Sequence, residues 1–336
     1  HLESYLARMI RAGRKVAICD QVEDASASKG IVRREITRIV TPGTVLEENV
    51  LDANRSNYVA GLVHADKRFG LALLELSTGE FWIEEPPDAE SAVEAIKRHA
   101  PSECIVPEAF EQDAALVQLR GAVPGLMVSP VEDWVFETET AAEALERHFN
   151  VHSLAGFGCD GHPAGIGAAG GVLYYVDRQL RRRVGHVRKL RFRNPADYML
   201  IDDATVRNLD LVPGPRAALG VDPSLLAVLD ATRTPMGGRK LRTWLLRPLA
   251  AAASIHARHE AVAAFCAKRS LLADAREALA SVKDLERLIA RLGAGGGNPR
   301  DVRALGISLD SLPRLTEKLA GAEAPLLTEL SEQVRL

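Results

Sequence analysis

The sequence is short of cysteine, has no long apolar run and carries no excess of positive charge. Its four cysteines are scattered along the chain at Cys19, Cys104, Cys159 and Cys266. This spacing fits neither a zinc site nor a small disulfide framework, and it indicates reduced, mostly buried thiols in a cytoplasmic protein. No apolar segment approaches the ~20 residues needed to cross a bilayer, so we expect no membrane partner. The first residues do not have the pattern of a signal peptide.

The charge balance excludes a global basic field. With 42 Lys and Arg residues against 45 Asp and Glu residues, the formal net charge is −3, so any nucleic-acid binding must come from local patches. The chain also lacks a G-x-x-x-x-G-K-[ST] phosphate-binding loop, and we expect no ATPase site within these residues. A length of 336 residues predicts two or three domains. Because the chain begins with His1, we expect it to be a piece of a longer protein.

The stretch Ser224–Leu249 organises the second half of the chain. An apolar helical stripe stops at Asp230, Thr234 is placed to cap the next helix, and Pro235 fits the first turn of that helix. The residues alone predict two helices of an ordinary α domain, joined by a tight corner. The second helix is expected to bury an apolar face made of Leu241, Trp244, Leu245 and Leu249.

The order of residues in this stretch is more specific than its periodicity. Leu-Asp-x-Thr-x-Thr-x-Met-Gly-x-Arg, then Leu-x-x-Trp-Leu-x-x-Pro-Leu over residues 229–249, resembles the start of the core (lever) domain of the MutS family of DNA mismatch-recognition ATPases. Asp-Leu-Glu-Arg-Leu at 284–288 and Asn-Pro-Arg-Asp at 298–301 also match that family. The resemblance predicts a helical core domain over residues 196–336. A glycine-rich run at 293–297 has no strand before it and indicates a flexible connection between helices.

The first 52 residues resemble the end of the mismatch-binding domain of the same family. The matching segments are Val-Ala-Ile-Cys-Asp-Gln-Val-Glu-Asp from Val16 and Thr-Arg-Ile-Val-Thr-Pro-Gly-Thr from Thr37. We expect a helix over Glu3–Ala12 and a buried strand over Lys15–Cys19, the remnant of an α/β domain. The Phe-x-Glu motif with which the family reads a mispaired base has no equivalent here. The fragment alone should therefore not prefer mismatched DNA.

Four basic residues in this segment are candidates for contact with the DNA backbone. Arginine suits bidentate phosphate contacts, and by resemblance Arg34 occupies the position of a family arginine near the DNA backbone. The other candidates are Lys29, Arg33 and Arg38. The alternative interpretation is a solvated basic face balanced by Glu23, Asp24 and Glu35.

Residues 53–195 predict an α/β domain that resembles the connector domain of the family, which has an RNase H-like fold. Three strand-like runs, at 58–63, 69–76 and 79–83, precede a helix at 89–99 and a further strand at 103–106. This fold also suggests a resolvase-like nuclease, which would need three or four carboxylates converging on metal ions. Glu75 and Glu103 lie on strands, but no third acidic residue is placed convincingly. We expect no catalytic residue and no metal site here.

A basic stretch follows the connector's long apolar helix, with eight Arg and Lys residues between Arg178 and Arg193. Read alone, it suggests phosphate binding. It also lies at a helix end and in a linker, where cations favour the helix dipole and solvent. We favour the second interpretation.

Taken together, the resemblance implies part of a mismatch-recognition protein with an α/β remnant, an RNase H-like connector and a helical core. The full-length family protein binds mispaired or looped duplex DNA as a homodimer, uses ATP and magnesium in an ATPase domain absent from this chain, and recruits MutL. The chain itself is expected to be non-catalytic, in the bacterial cytoplasm at the nucleoid. A structure-specific nuclease and a non-catalytic scaffold derived from MutS are the alternatives.

Overall fold

The computed structural model describes residues 2–23, 32–65, 67–214, 220 and 222–334. The chain divides into two compact units. The first comprises His1–Asp52, Ser56–Arg193 and Gly293–Gly295, and the second comprises Ala53–Arg55, Asn194–Leu292 and Gly296–Leu336.

The first unit begins with a helix and a two-stranded antiparallel sheet. Helix α1 spans Leu2–Arg11, strand β1 spans Val16–Gln21 and strand β2 spans Arg34–Val40. The prediction of a buried β1 was wrong, since Ile18 is its one buried residue. A two-stranded sheet buries only one face. Here that face contributes Val40 to a small apolar cluster that also contains Leu6 and Ile10 of α1.

A six-stranded sheet forms the centre of the first unit. Its strands are β3 (Val59–Ala65), β4 (Arg68–Glu75), β5 (Glu80–Glu84), β6 (Glu103–Pro107), β7 (Met127–Val131) and β8 (Arg191–Phe192). The spatial order is β7-β6-β3-β4-β5-β8. Strand β4 runs antiparallel to β3 and β5, while the other neighbouring pairs are parallel. The runs predicted as strands correspond to β3, β4, β5 and β6.

Helices cover both faces of this sheet. They are α2 (Ala89–His99), α3 (Ala114–Ala122), α4 (Thr138–Phe149) and α5 (Pro163–Tyr174), the last continued by a π-helical turn at Tyr175–Gln179. Successive residues of a strand point to opposite faces. Accordingly, Val59 and Val63 pack with α4 and α5, while Ala60 and Leu62 pack with α2 and α3. The result is a three-layer α/β/α arrangement.

Glycines allow the backbone of α5 to lie directly on the sheet. A Cβ built on Gly70 would lie 1.9 Å from the carbonyl oxygen of Ala164, and one on Gly61 would lie 2.7 Å from that of Ala168. Any larger residue at either position would push the helix off the strands.

The second unit is helical in its described residues, apart from an isolated bridge between Tyr198 and Leu249. Its helices are α6 (Asp203–Asn208), α7 (Leu225–Leu229), α8 (Pro235–Leu246), α9 (Ala252–Ala267), α10 (Arg269–Ser281), α11 (Leu285–Gly293), α12 (Pro299–Ala320) and α13 (Pro325–Gln333). The predicted capping is confirmed, because Thr234 Oγ1 accepts a hydrogen bond of 3.1 Å from the Gly237 amide. The glycine-rich run lies between α11 and α12, as predicted.

The predicted buried face of α8 was wrong. Leu241, Leu245 and Leu249 are half-buried and Trp244 is exposed. The buried residues of this helix are instead Gly238 and Arg239. Helical periodicity identifies an apolar stripe but not the residues of the helix that pack closest to another segment.

The four cysteines are free, with Cys104 and Cys159 buried and Cys19 and Cys266 exposed. The prediction of mostly buried thiols therefore holds for two of them. In the described part of the chain, every helix is too short or too polar to span a membrane.

Candidate functional site

Three of the four predicted DNA-contact residues, Arg33, Arg34 and Arg38, lie on or beside strand β2. Arg34 opens the strand with an exposed side chain, and within the described residues it forms no ion pair. Arg33 pairs with Glu35, and Arg38 lies 3.8 Å from Glu47. Lys29 lies outside the described residues. Of the candidates on the described strand, Arg34 is the one free to meet a phosphate without first breaking an ion pair.

The segment that follows α5 holds the far end of β2. The Ile39 amide donates to the carbonyl oxygen of Leu180 at 3.0 Å, and Arg181 Nη1 donates to that of Ile36 at 2.6 Å. Arg182 is buried, and its Nη2 lies 3.4 Å from the Thr44 carbonyl oxygen. Burial lowers the pKa of Arg182, an effect that Glu47 opposes. Part of the basic stretch is thus structural, which corrects the expectation of a solvated linker.

A buried polar cluster connects the residue before β1 with the six-stranded sheet. Glu103 is fully buried, and its Oε1 accepts hydrogen bonds from Ser129 Oγ at 2.8 Å and Tyr175 OH at 2.5 Å. Lys15 Nζ lies 3.4 Å from the same oxygen and donates to both hydroxyl groups, at 2.8 and 3.0 Å. Burial, followed by the charge of Glu103, raises the pKa of Tyr175, so that its hydroxyl remains a donor.

The two glutamates considered for a nuclease site are both held by protein donors. Glu75 is buried and accepts from Ser77 Oγ at 2.9 Å, while Glu103 Oε1 accepts from Ser129 and Tyr175 and is paired with Lys15. Over the residues that the structure describes, no three His, Cys, Asp or Glu side chains are grouped so that they could hold a metal ion. Both carboxylates are therefore structural groups, buried in the sheet and bound by neighbouring side chains.

In the second unit, two of the matched sequence motifs meet at Arg239. Its Nη1 and Nη2 donate to Asp284 Oδ2 and Oδ1 at 2.6 and 2.9 Å, and Nη2 also donates to Glu286 Oε2 at 2.7 Å. Burial alone would lower the pKa of Arg239, but the hydrogen bonds to both carboxylates raise it above its usual value. Asp284 also caps α11, accepting from the Arg287 amide at 3.2 Å.

The same cluster binds the backbone of a distant segment. Arg239 Nη1 donates to the carbonyl oxygen of Ala53 at 2.9 Å, and Arg287 Nη2 donates to that of Arg55 at 2.7 Å. Sequence reasoning identified both motifs but missed their pairing with each other and with residues 53–55. A signal was available in the sequence, because each motif contains an arginine, Arg239 in the first and Arg287 in the second. An arginine on an otherwise packed helix face needs an acidic partner.

Three family models match successive segments of the chain, in the order in which the elements described above occur. The model described as MutS domain I matches residues 1–49, MutS domain II matches 57–188 and MutS domain III matches 204–335. The three matches follow one another without overlap and leave only short gaps. The chain belongs to the MutS family. Helix α1 and the β1–β2 sheet fall within domain I, and the six-stranded sheet falls largely within domain II.

Individual relatives within the MutS family give the same assignment. The DNA mismatch repair protein MutS of Syntrophobacter fumaroxidans is 41% identical over 98% of this chain. The proteins of the same name from Myxococcus xanthus and Methanococcoides burtonii are 42% and 40% identical, over 97% and 95% of the chain. The chain spans 36–37% of the length of these three relatives.

Proposed function

We propose that this chain is part of a DNA mismatch-recognition protein that binds mispaired or looped duplex DNA and signals for repair. The supporting observation is the succession of three MutS domain matches over residues 1–49, 57–188 and 204–335. The relatives that align over 98% and 97% of this chain are named DNA mismatch repair protein MutS. A test is deletion of the gene that encodes this chain, which should raise the spontaneous mutation rate of its host. An unchanged rate would refute the proposal.

The three domains are proposed to be residues 1–52, 53–195 and 196–336, with an RNase H-like connector in the middle. The topology supports this assignment of the connector. Three antiparallel strands, β3 to β5, are extended by the parallel strands β6 and β7, which are reached through helices. The helical second unit supports the assignment of a core domain.

Arg34 is proposed to contact the phosphate backbone. Its support is an exposed position on β2 with no ion-pair partner among the described residues, whereas the neighbouring Arg33 and Arg38 are both engaged with glutamates. Arg33, Arg38 and Lys29 are proposed as weaker contributors to the same surface. Each phosphate contact adds a salt-dependent, sequence-independent increment to affinity.

Fluorescence anisotropy with matched and mispaired duplexes tests this surface. Arg34→Gln should weaken binding to both duplexes equally and reduce the dependence of log K on log salt by about 1. Arg207→Gln is the control, because Arg207 is also exposed but pairs with Asp203 on α6. Identical losses in the two variants would refute the assignment of Arg34. A tenfold preference of the chain for the mispaired duplex, about 1.4 kcal/mol, would place recognition residues within this fragment.

Other properties of the full-length protein are proposed by family analogy. They are an ATPase domain outside this chain that uses ATP and magnesium, a homodimeric assembly, recruitment of MutL, and a location in the bacterial cytoplasm at the nucleoid. Within this chain we propose binding and relay rather than catalysis. The Lys15–Glu103 cluster supports this, because Glu103 Oε1 already accepts hydrogen bonds from Ser129 and Tyr175 and is paired with Lys15.

A further inference from the structure

Three consecutive residues, Ala53–Arg55, are bound by side chains that lie far away in the sequence. Arg239 donates to the carbonyl oxygen of Ala53, and Arg287 donates to that of Arg55. Between them, Asn54 lies against Gly238, where an added Cβ would be 2.9 Å from Asn54 Oδ1. The α8 motif therefore contacts both Ala53 and Asn54, while the α11 motif supplies the contact to Arg55.

The electrostatics of the cluster explain why a backbone carbonyl is needed. Arg239 is only 5% exposed, and a guanidinium presents five N–H donors in a fixed fork. Asp284 and Glu286 neutralise its charge and accept three of its hydrogen bonds. The Ala53 carbonyl oxygen accepts a further one, and a buried donor left without an acceptor would be destabilising.

The bound residues occupy a distinctive place in the chain. They follow the domain I match, which ends at residue 49, and precede the domain II match, which begins at residue 57. They nevertheless pack within the second unit, together with the domain III motifs. The residues that connect the domain I match to the domain II match are therefore bound by side chains of the domain III match.

We propose that Arg239 and Arg287 are positioning residues that fix the backbone of Ala53–Arg55, forming a clasp on the segment between the domain I match and the domain II match. The clasp consists of Arg239, Asp284, Glu286 and Arg287. This role goes beyond DNA binding and does not depend on it.

Limited proteolysis of the 336-residue chain with trypsin tests the clasp directly. Trypsin cleaves after arginine, and the carbonyl carbon that it attacks at the Arg55–Ser56 bond is the one whose oxygen Arg287 holds. Cleavage at this bond therefore requires the clasp to open. In Arg239→Met and Arg287→Met, the rate of cleavage after Arg55, measured by mass spectrometry, should rise at least tenfold.

Arg291→Met is the matched control. Arg291 is a partly buried arginine of the same unit that makes two hydrogen bonds to Asp301, at 3.2 and 2.7 Å. Its replacement should leave the rate of cleavage after Arg55 unchanged. An equal rise in the control, or no rise in Arg239→Met and Arg287→Met, would overturn the proposal.

A second variant separates the clasp from general stability. Gly238→Ala keeps all the ion pairs and raises the helix propensity of α8, but its methyl group must displace Asn54. It should speed cleavage after Arg55 while the thermal midpoint stays the same or rises. If cleavage after Arg55 slows in step with the higher midpoint, the segment is not held by these contacts.

Discussion

Lys15 Nζ lies 3.4 Å from Glu103 Oε1, and the two side chains differ sharply in exposure. That of Lys15 is 42% exposed, whereas that of Glu103 is completely buried. Lys15 precedes β1, in the segment matched as domain I, and Glu103 opens β6, in the segment matched as domain II. A cation that reaches in from the surface therefore neutralises a buried carboxylate, and the attachment of the first 52 residues to the sheet depends partly on it.

Replacing Lys15 with methionine should destabilise the first unit by roughly 2–4 kcal/mol. The reason is that a buried carboxylate left without its cation costs more than the ion pair gains. Urea denaturation in a Trp244→Phe background, followed through the fluorescence of Trp82 and Trp134, measures the change. Glu103→Gln in the same chain should restore part of the loss, because a neutral amide needs no cation. Strictly additive effects of the two substitutions would show that the residues are not coupled.

Gly70→Ala should destabilise the first unit by about 3 kcal/mol or more. The new Cβ would lie 1.9 Å from the Ala164 carbonyl oxygen, and close-packed interiors relieve such a clash only by shifting backbone. The control is Gly121→Ala in α3, where an added Cβ meets nothing within 4 Å; it should be neutral or slightly stabilising. The same urea titration compares them, and a mild effect at Gly70 would contradict the close packing of α5 on β4.

The stability of the first unit should fall as the pH rises above 9. Burial raises the pKa of the Cys104 thiol to about 12 and that of Cys159 to about 11, from 9.0. In this range the unfolded chain binds fewer protons than the folded chain, so each thiol lowers the free energy of unfolding by up to ~1.4 kcal/mol per pH unit. The contribution is fully present below pH 9 and is lost through pH 11–12.

Urea midpoints measured between pH 8 and pH 10.5 check this slope. Cys104→Ala should make it shallower. Val106→Ala, on the same buried strand but without a titratable group, should lower stability at every pH and leave the slope unchanged. A slope that is the same in Cys104→Ala and in the unsubstituted chain would contradict the assignment.

Local features of the fold were predictable because they depend on neighbouring residues. The cap at Thr234 follows from an oxygen placed three residues before an amide, and the helix at Ala89–His99 follows from its apolar spacing. The family was identifiable for a similar reason, since its motifs are continuous runs of residues. Exposure was predicted less well: β1 and the apolar face of α8 were both expected to be buried.

The sequence by itself determined the family, the order of the domains and most of the strands and helices. Tertiary structure alone decided which charges are buried and what they bind. Neither Lys15 with Glu103 nor Arg239 with Ala53 is marked by any periodicity, because each pair is joined by chain folding over a long separation. The free energy of a buried charge depends on the surrounding dielectric and on its partners, and both are set only when distant segments pack together.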